Sequence, residues 1–311
     1  MKTVLFINST EPLCGIHQFG KRVYDIVKES NTVSYVYKEI LSLEEYLSTL
    51  STLKPDFVLL NWYSTVVPWL PYDYVIPSSI PHYYIFHERP IRKQYDKYLL
   101  FGDYGIQNGV IDANNILDPS RCVTLPRPLF TYTNTFPKNE IPTIGTFGFM
   151  SDWHKGFDTL TERVNKEFDA AVLNLHMVWS PFCDPSKEML AGMVDKCRKL
   201  NTNPNVRLNI THDLLNNKEM LDFLGKNDIN VFMYNNLAQF GLASSTDYAM
   251  SVQRPFAVDN SIAFRQVTSD EINITKHTIK EIMDKGLTPL EGLYEKWSPD
   301  KLKAELGALF A

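Results

Sequence analysis

The chain has 311 residues, of which 44% are apolar and 22% charged, and it carries a formal net charge of −5 with a pI near 5.8. This length predicts about two domains if a domain takes roughly 150 residues, and the composition excludes disorder and collagen-like structure. The acidic total provides no global basic field for a polyanion, which argues against nucleic acid as the main partner.

The apolar run at residues 3–7 is too short for a signal peptide, and we predict that it is the first buried strand. No apolar stretch approaches the roughly 20 residues that cross a bilayer, so the sequence argues against a membrane-spanning role. The four cysteines form no CxxC pair, and we interpret them as reduced thiols of a cytoplasmic protein. They are Cys14, Cys122, Cys183 and Cys197.

Short apolar runs of strand length alternate with amphipathic stretches in both halves, which is typical of βαβ units and parallel sheets. In the first half, strands are predicted at 3–7, 32–37, 57–61, 83–86 and 123–125, with helices at 19–29 and 43–53. In the second half, strands are predicted at 143–147, 171–176, 206–210, 229–234 and 255–258, with helices at 157–168, 187–199, 218–224 and 242–252. A last helix is predicted at 297–310, packed across the outside.

The polar, proline-bearing stretch at 136–142 has the composition of a linker between domains. We therefore predict an α/β fold of two Rossmann-like domains that face each other across a cleft. The first would span residues 1–138 and the second 139–285, followed by a helical segment at 286–311. Ligands of such sheets bind outside the carboxyl ends of the strands, where helix N-termini offer N–H groups to phosphate.

Three segments stand out when they are read in order: residues 14–23, 144–158 and 227–258. Together they resemble the large GT-B family of retaining nucleotide-sugar glycosyltransferases, which includes many bacterial and viral enzymes. The first, residues 14–23 (CGIHQFGKRV), is similar to the glycine-rich loop of the family. The resemblance implies that Gly15 lets the backbone approach the donor phosphates or the transferred sugar. His17, in the same loop, fits either an exposed side chain or a catalytic residue.

The second segment, residues 144–158 (IGTFGFMSDWHKGFD), resembles the strand, loop and Lys-Gly element that opens the family's donor domain. The resemblance implies that Lys155 binds the donor diphosphate. Phe149 replaces an arginine that is usual in the family, and Arg254 and Arg265 are candidates to compensate for it.

The third segment, residues 227–258, resembles the donor-binding helix and the strand that follows it. The two glutamates that the family carries there are absent, and Asp247 is the only acid at the helix start. The resemblance implies that Asp247 binds the ribose. It also implies that the pyrophosphate lies at the helix start, at Ser244, Ser245 and Thr246.

His87 follows a predicted strand, where the family often has a histidine beside the transferred sugar, so His87 and Lys155 are the candidate catalytic residues. The resemblance implies transfer of a hexose from a UDP-, GDP- or ADP-linked donor with retention of configuration. No further cofactor and no metal are expected, since Lys155 and helix amides can neutralise the leaving diphosphate. The acceptor is left open as a glycan, a lipid-linked molecule or modified DNA.

Each candidate also has a structural interpretation. Gly15 fits a turn glycine, Lys155 a solvated loop lysine, and Asp247 an ordinary first-turn acid. The hydroxyl residues at 244–246 fit an N-cap cluster, and His87 fits a structural polar cluster.

Two rival functions follow from the same sequence. One is a viral enzyme that glycosylates modified DNA bases, which would need cations against the phosphates. Those candidates are Arg89, Arg92, Lys93 and Lys97. The other is a GT-B fold that binds without catalysis, which the missing glutamates and arginine suggest.

Overall fold

The structure is a computed structural model. It describes residues 1–12, 14–71, 74–76, 79–87, 96–102, 110–112, 115–116, 119–150, 155–179, 184, 186–234 and 241–311. Among the residues singled out from the sequence, Arg89, Arg92, Lys93 and Cys183 lie outside these residues.

Strands and helices alternate along the chain as the periodicity predicts. The first half contains β1 (Lys2–Asn8), α1 (Gly15–Val27), β2 (Val33–Glu39), α2 (Leu43–Leu53), β3 (Phe57–Leu60), β4 (His82–Ile85), β5 (Lys97–Phe101), β6 (Val110–Asp112), β7 (Asn115–Ile116) and β8 (Cys122–Leu125). The second half contains β9 (Thr143–Met150), α3 (Phe157–Glu167), β10 (Ala171–Trp179), α4 (Glu188–Leu200), β11 (Val206–Thr211), α5 (Asn217–Gly225), β12 (Ile229–Phe232), α6 (Ser245–Ser251), β13 (Phe256–Val258), α7 (Ile279–Lys285), α8 (Glu291–Lys296) and α9 (Pro299–Phe310).

The described chain divides into two compact α/β units, each with its own parallel sheet. The first unit contains Met1–Pro128, Phe240–Leu242 and Lys296–Ala311, and its sheet has the order β2-β1-β3-β4-β5-β8. The second contains Leu129–Gln239 and Ala243–Glu295, and its sheet has the order β11-β10-β9-β12-β13. The strand pairings within both sheets are parallel, as predicted.

The first sheet is buried on both faces, which explains why β1 is an unbroken apolar run. Successive side chains point to opposite faces, so Leu5 and Ile7 join the core with α2, while Val4 and Phe6 join the core with α1 and α9. The last helix contributes Leu302, Leu306 and Phe310, all with no exposed surface. It therefore belongs to the core of the first unit, although its residues come last in sequence.

In the second sheet, four asparagines form a row of hydrogen bonds. They lie in β11, β10, the residues before β12, and β12. Asn209 donates to Asn174 at 2.9 Å, Asn174 to Asn227 at 2.9 Å and Asn227 to Asn230 at 2.9 Å. A Cβ on Gly145 would lie 1.8 Å from the Asn227 amide nitrogen, so a side chain at 145 would displace this row. The strand glycine of the second segment is thus required by packing.

The observed division of the chain differs from the predicted one after residue 138. Residues 129–138 pack with the second unit because their side chains and amides bond to it. The Phe130 amide donates to Ser251 at 2.8 Å, and the Tyr132 hydroxyl donates to Asp222 at 2.8 Å. The separate segment expected at 286–311 is likewise divided, since its helix at Pro299–Phe310 completes the first unit.

Arg254 fastens this linker to the second unit. Its Nε donates to the carbonyl of Gly225 at 3.0 Å, and one terminal nitrogen donates to the carbonyls of Phe136 at 2.6 Å and Pro137 at 3.0 Å. Arg254 precedes β13, whereas the ligand edge of a parallel sheet lies after its strands. The idea that Arg254 replaces the missing pyrophosphate arginine is therefore not supported by its position.

We predict that Arg254→Ala lowers the free energy of unfolding by about 2 kcal/mol, because hydrogen bonds from a charged donor are lost and carbonyls are left without partners. Urea unfolding monitored by circular dichroism measures the change. Arg198→Ala is the matched control, since the one ion pair of Arg198 within the described residues is an exposed contact of 3.8 Å with Asp195. Equal stability of the two variants would contradict the role of Arg254.

Candidate functional site

Three neighbouring strands of the first unit lead into polar side chains at the same edge of the sheet. Asn8 ends β1, Asn61 follows β3, and His87 follows β4. Asn8 and Asn61 are 0% and 1% exposed, so their amides need partners within the protein. Asn61 Nδ2 donates to Asn8 Oδ1 at 2.6 Å and to the Ile16 carbonyl at 2.8 Å.

The orientation of the Asn61 amide determines the tautomer of His87. Because Asn61 Nδ2 faces two acceptors, its Oδ1 is the atom that faces His87 and accepts from the ring Nε2 at 2.6 Å. Burial, together with the positive charge of Arg127, lowers the pKa of His87 to about 3. His87 is therefore neutral near pH 7 and carries its proton on Nε2.

The hydrogen bonds continue from Asn8 to a carboxylate at the end of β2. Asn8 Nδ2 donates to the Tyr37 hydroxyl at 2.9 Å, and Tyr37 donates to Glu39 Oε1 at 2.6 Å. His17, on the first turn of α1, donates through Nε2 to the same oxygen at 2.8 Å. Along the chain His87, Asn61, Asn8, Tyr37 and Glu39, each residue thus donates a hydrogen bond to the next. Sequence reasoning missed Tyr37 and Glu39, because neither stands in a motif.

Two glycines of α1 differ in what the fold requires of them. A Cβ at Gly20 would lie 2.2 Å from Asn61 Nδ2, so the network requires glycine there. Gly15 is exposed and its φ is not positive. Apart from its chain neighbours and the backbone of its own helix, no atom of the described residues lies within 4 Å of where a Cβ would sit. Neither packing nor backbone conformation therefore requires glycine at position 15. This leaves open space beside Gly15, and its predicted role in the approach of a ligand needs such space.

Lys155 lies at the carboxyl edge of the second sheet. It stands just before α3, and residues 151–154, which separate it from β9, lie outside the described residues. Its Nζ is 3.8 Å from the centroid of the Tyr234 ring, which follows β12. Within the part of the chain that the structure describes, Lys155 pairs with no carboxylate. Its charge is therefore not neutralised by an acid there.

Gly156, next to this lysine, has a specific backbone role. Its φ is +57°, and a Cβ on it would lie 2.3 Å from the Met233 carbonyl oxygen. Both facts demand glycine, because L-residues rarely adopt this conformation and the backbone of β12's end is too close. The Lys-Gly pair of the second segment thus brings Lys155 next to the end of β12.

Tyr234 connects Lys155 with the start of α6. Its hydroxyl lies 3.2 Å from Ser245 Oγ, and its ring packs at 4.5 Å, centroid to centroid, against Phe264. The Tyr234 amide donates to Asp259 Oδ2 at 2.7 Å, and Asp259 follows β13. Burial raises the pKa of Asp259. The ends of β12 and β13 and the start of α6 thereby meet around one tyrosine.

The predicted pyrophosphate residues have different surroundings at the start of α6. The Thr246 hydroxyl donates to the Ala243 carbonyl at 2.9 Å and accepts from Gln266 at 3.1 Å. Ser245 is engaged by Tyr234, while Ser244 makes no capping bond through its side chain. A phosphate at this helix start would thus meet backbone amides rather than the hydroxyls of residues 245 and 246. Asp247 is 1% exposed, and its ribose contact stays a prediction.

Asp228, Arg265 and Lys97 have local partners. Asp228 accepts from the amides of Asn139 and Thr143 at 3.0 and 2.9 Å, so it caps the start of β9. Arg265 donates to the Ile262 carbonyl at 2.6 Å. Lys97 donates to the Ser120 carbonyl at 2.9 Å. No cluster of three or more His, Cys, Asp or Glu side chains suited to a metal occurs among the described residues.

None of the described helices has both the length and the apolar character needed to cross a bilayer.

Comparison with solved structures identifies the fold. A glycosyltransferase from Rickettsia africae matches with a TM-score of 0.66 at 10% identity, covering 99% of this chain and 97% of that one. Anabaena Alr3699/HepE, in complex with UDP-glucose, matches with a TM-score of 0.66 at 9% identity, covering 99% of both chains. The chain has the GT-B fold. This confirms the fold that the three segments implied.

A third similar structure is the UDP-forming α,α-trehalose-phosphate synthase from Burkholderia xenovorans in complex with glucose-6-phosphate. It matches with a TM-score of 0.61 at 8% identity, covering 100% of this chain and 98% of that one. No protein-family model and no curated protein matches the sequence. Because the identities are this low, the comparisons establish the GT-B fold, and the functional argument depends on the site.

The lowered pKa of His87, about 3, and of His176 in β10, about 4 because of burial, predict acid sensitivity. A histidine in the unfolded chain titrates near roughly 6.5, so the unfolded state binds more protons than the folded state below that pH. The free energy of unfolding should therefore fall as the pH drops from about 6.5 toward 4. Each histidine contributes a slope of up to about 1.4 kcal/mol per pH unit.

Urea titrations between pH 4 and 7 measure this slope for the wild type, His87→Gln and His176→Gln. Each substitution should reduce the slope on the acid side, and the reductions should add because the two residues lie in different units. An unchanged slope in either variant would show that the histidine in question is not buried as a neutral ring.

Gly15→Ala should leave the fold intact and weaken binding of a nucleotide sugar by about tenfold or more, since a methyl group would occupy space that the ligand needs. The melting temperature and the calorimetric affinity for UDP-glucose test the two halves of this statement. Gly292→Ala, also in open space on a helix, is the control for affinity, and Gly20→Ala should destabilise the protein. If Gly15→Ala binds UDP-glucose as tightly as the wild type, Gly15 does not contact the donor and is only a turn glycine.

Proposed function

We propose that this protein is a glycosyltransferase that moves a hexose from a nucleotide diphosphate sugar to an acceptor hydroxyl. The observation that carries the proposal is Lys155. Its ammonium lies beyond the carboxyl ends of the strands of a parallel sheet and has no carboxylate partner in the described chain. It contacts the Tyr234 ring, whose hydroxyl lies 3.2 Å from Ser245 at the start of α6. An ammonium and helix amides at one sheet edge are suited to a diphosphate.

In this proposal, the bond between the sugar C1 and the diphosphate oxygen breaks, and its electron pair leaves with the diphosphate. A new bond forms between C1 and the acceptor oxygen, whose proton is released. The diphosphate gains negative charge as its bond breaks, so a positioned cation stabilises the transition state more than the ground state. Lys155 and the backbone amides at the start of α6 supply that positive charge, and the proposal therefore requires no metal ion.

The remaining candidates take the roles that the resemblance implies. Gly15 gives the donor access to the backbone at the start of α1, and Asp247 binds the ribose hydroxyls. His87 contacts the transferred sugar as a neutral imidazole, since its pKa of about 3 leaves it uncharged near pH 7. A neutral ring suits a sugar hydroxyl, which needs a hydrogen-bonding partner without a net charge.

Three further statements belong to the same proposal. The donor is a UDP sugar, which the complexes of Anabaena HepE with UDP and UDP-glucose support by analogy of fold. Transfer proceeds with retention of configuration, as the resemblance implies. The enzyme acts in the cytoplasm, which agrees with Cys14 and Cys197 being free thiols.

A glycan or a lipid-linked molecule is the favoured acceptor. Of the cations that a DNA acceptor would need, Lys97 is the one within the described residues, and its ammonium is bound to the Ser120 carbonyl at 2.9 Å. That contact does not favour a role at DNA phosphates. The net charge of −5 also opposes binding to a polyanion.

A thermal-shift screen of UDP, GDP, ADP and their glucose conjugates tests the proposal. The true donor should raise the melting temperature of the wild type through linkage. Lys155→Ala should retain the wild-type melting temperature without ligand, lose most of the ligand-induced shift, and lower turnover of the bound sugar nucleotide by roughly a hundredfold. Lys226→Ala is the matched control, because Lys226 also rests on an aromatic ring but precedes β12.

Three outcomes are informative. A wild type that none of the six compounds stabilises would contradict the proposed function. Binding without any turnover would identify a GT-B fold kept for binding alone. Equal behaviour of Lys155→Ala and Lys226→Ala would show that Lys155 is a solvated loop lysine.

A further inference from the structure

Among the described residues, Lys155 contacts an aromatic ring and no acid, and we propose that Tyr234 is the positioning residue of this lysine. The proposal rests on the proposed function, because it assigns Tyr234 the task of keeping the Lys155 ammonium where a donor diphosphate needs it. Tyr234 acts through Lys155 and need not touch the reacting atoms.

The Tyr234 ring is itself fixed. Its residue is 8% exposed, its amide donates to Asp259 at 2.7 Å, and its hydroxyl lies 3.2 Å from Ser245. The Phe264 ring, with no exposed surface, packs against it at 4.5 Å between centroids. Backbone, hydroxyl and ring are thus each held by a different neighbour, so the ring offers the ammonium a rigid surface.

The aliphatic stem of Lys155 packs against the backbone of a glycine. A Cβ built on Gly148 of β9 would lie 3.1 Å from Lys155 Cδ and 3.4 Å from Cε. The lysine stem therefore runs closely past the backbone of Gly148, and a side chain there would push it aside. Gly148 and Tyr234 together restrict a side chain that in solution samples many rotamers.

An aromatic partner has a different electrostatic consequence from a carboxylate. Other lysines of this chain pair with acids, as Lys21 does with Asp25 at 2.6 Å and Lys218 with Asp222 at 2.6 Å. Such a pair has no net charge to offer an anion. The Tyr234 ring attracts the Lys155 ammonium through its quadrupole and leaves the unit positive charge in place. Lys155 is thereby ordered before a ligand arrives and still available to it.

Preorganisation of this kind matters most when charge develops in the transition state. A cation that is already in place does not have to be ordered during the reaction. Removing the ring should therefore lower both affinity for a nucleoside diphosphate and turnover. The strength of a cation–π contact predicts a loss of about threefold to thirtyfold in affinity.

The experiment is a double-mutant cycle with UDP as the probe, and with GDP and ADP as the other probes if UDP does not bind. Calorimetric affinity is measured for the wild type, Tyr234→Leu, Lys155→Ala and the double variant. Tyr234→Leu should weaken binding, and it should add nothing further in the Lys155→Ala background, because its effect passes through the lysine. Tyr234→Phe is the matched control that keeps the ring and loses the hydroxyl, so its affinity should stay within about twofold of the wild type.

Additive losses in the cycle would overturn the proposal, since they would show that Tyr234 acts independently of Lys155. Equal losses in Tyr234→Phe and Tyr234→Leu would overturn it as well, because the hydroxyl would then be the important group. A wild type that binds none of the three nucleotides would contradict the proposed function and this role together.

A measurement without ligand keeps the contact testable if Tyr234→Leu does not fold. Lysines are labelled by reductive ¹³C-methylation, and the Lys155 signal is assigned by its loss in Lys155→Arg. The ring current of Tyr234 should move that signal upfield in the wild type and in Tyr234→Phe. A Lys155 signal at the position of solvated lysines would overturn the inference, whatever the nucleotide affinity.

Discussion

The paired strands of the six-stranded and the five-stranded sheet run in the same direction, and the position of the candidate site in both units follows from that constraint. A parallel sheet is covered on both faces, so most side chains of its strands are apolar, and the polar side chains of the candidate site lie where the strands end. In the first unit these are Asn8, Asn61 and His87. In the second they are Lys155, which precedes a helix, and Tyr234. Asn8, Asn61 and Tyr234 are buried, so their polar groups need partners within the protein, and those partners fix their orientation.

Much of the architecture is predictable from the periodicity of the sequence. The helix at Leu43–Leu53 is predicted to the residue, and the strand and helix order of the second unit agrees with the structure within a few residues. Strand β5 (Lys97–Phe101) and helix α7 (Ile279–Lys285) were missed. Both are short, so their periodic signal is weak against the surrounding loops. The division between the units was placed at a proline-bearing stretch, but side-chain contacts of residues 129–138 decide it, and composition does not record contacts.

The candidate site is only partly predictable for a similar reason. Lys155 and Gly15 stand in segments with a recognisable order, and a helix start with hydroxyl residues has its own signature. Tyr234, Tyr37 and Glu39 carry no such signature, because tyrosine and glutamate are common at strand ends. Their roles depend on a ring face 3.8 Å from an ammonium and on one carboxylate oxygen shared by a tyrosine and a histidine. Such pairings are set by the register of strands that are distant in sequence.

The position of α9 has a consequence for biosynthesis. Leu302, Leu306 and Phe310 belong to the core of the first unit, yet a ribosome makes them after the whole of the second unit. The second unit is therefore synthesised while one face of the first sheet still lacks α9. During that interval the nascent chain exposes an apolar surface suited to chaperones, and α9 is the helix that later covers it.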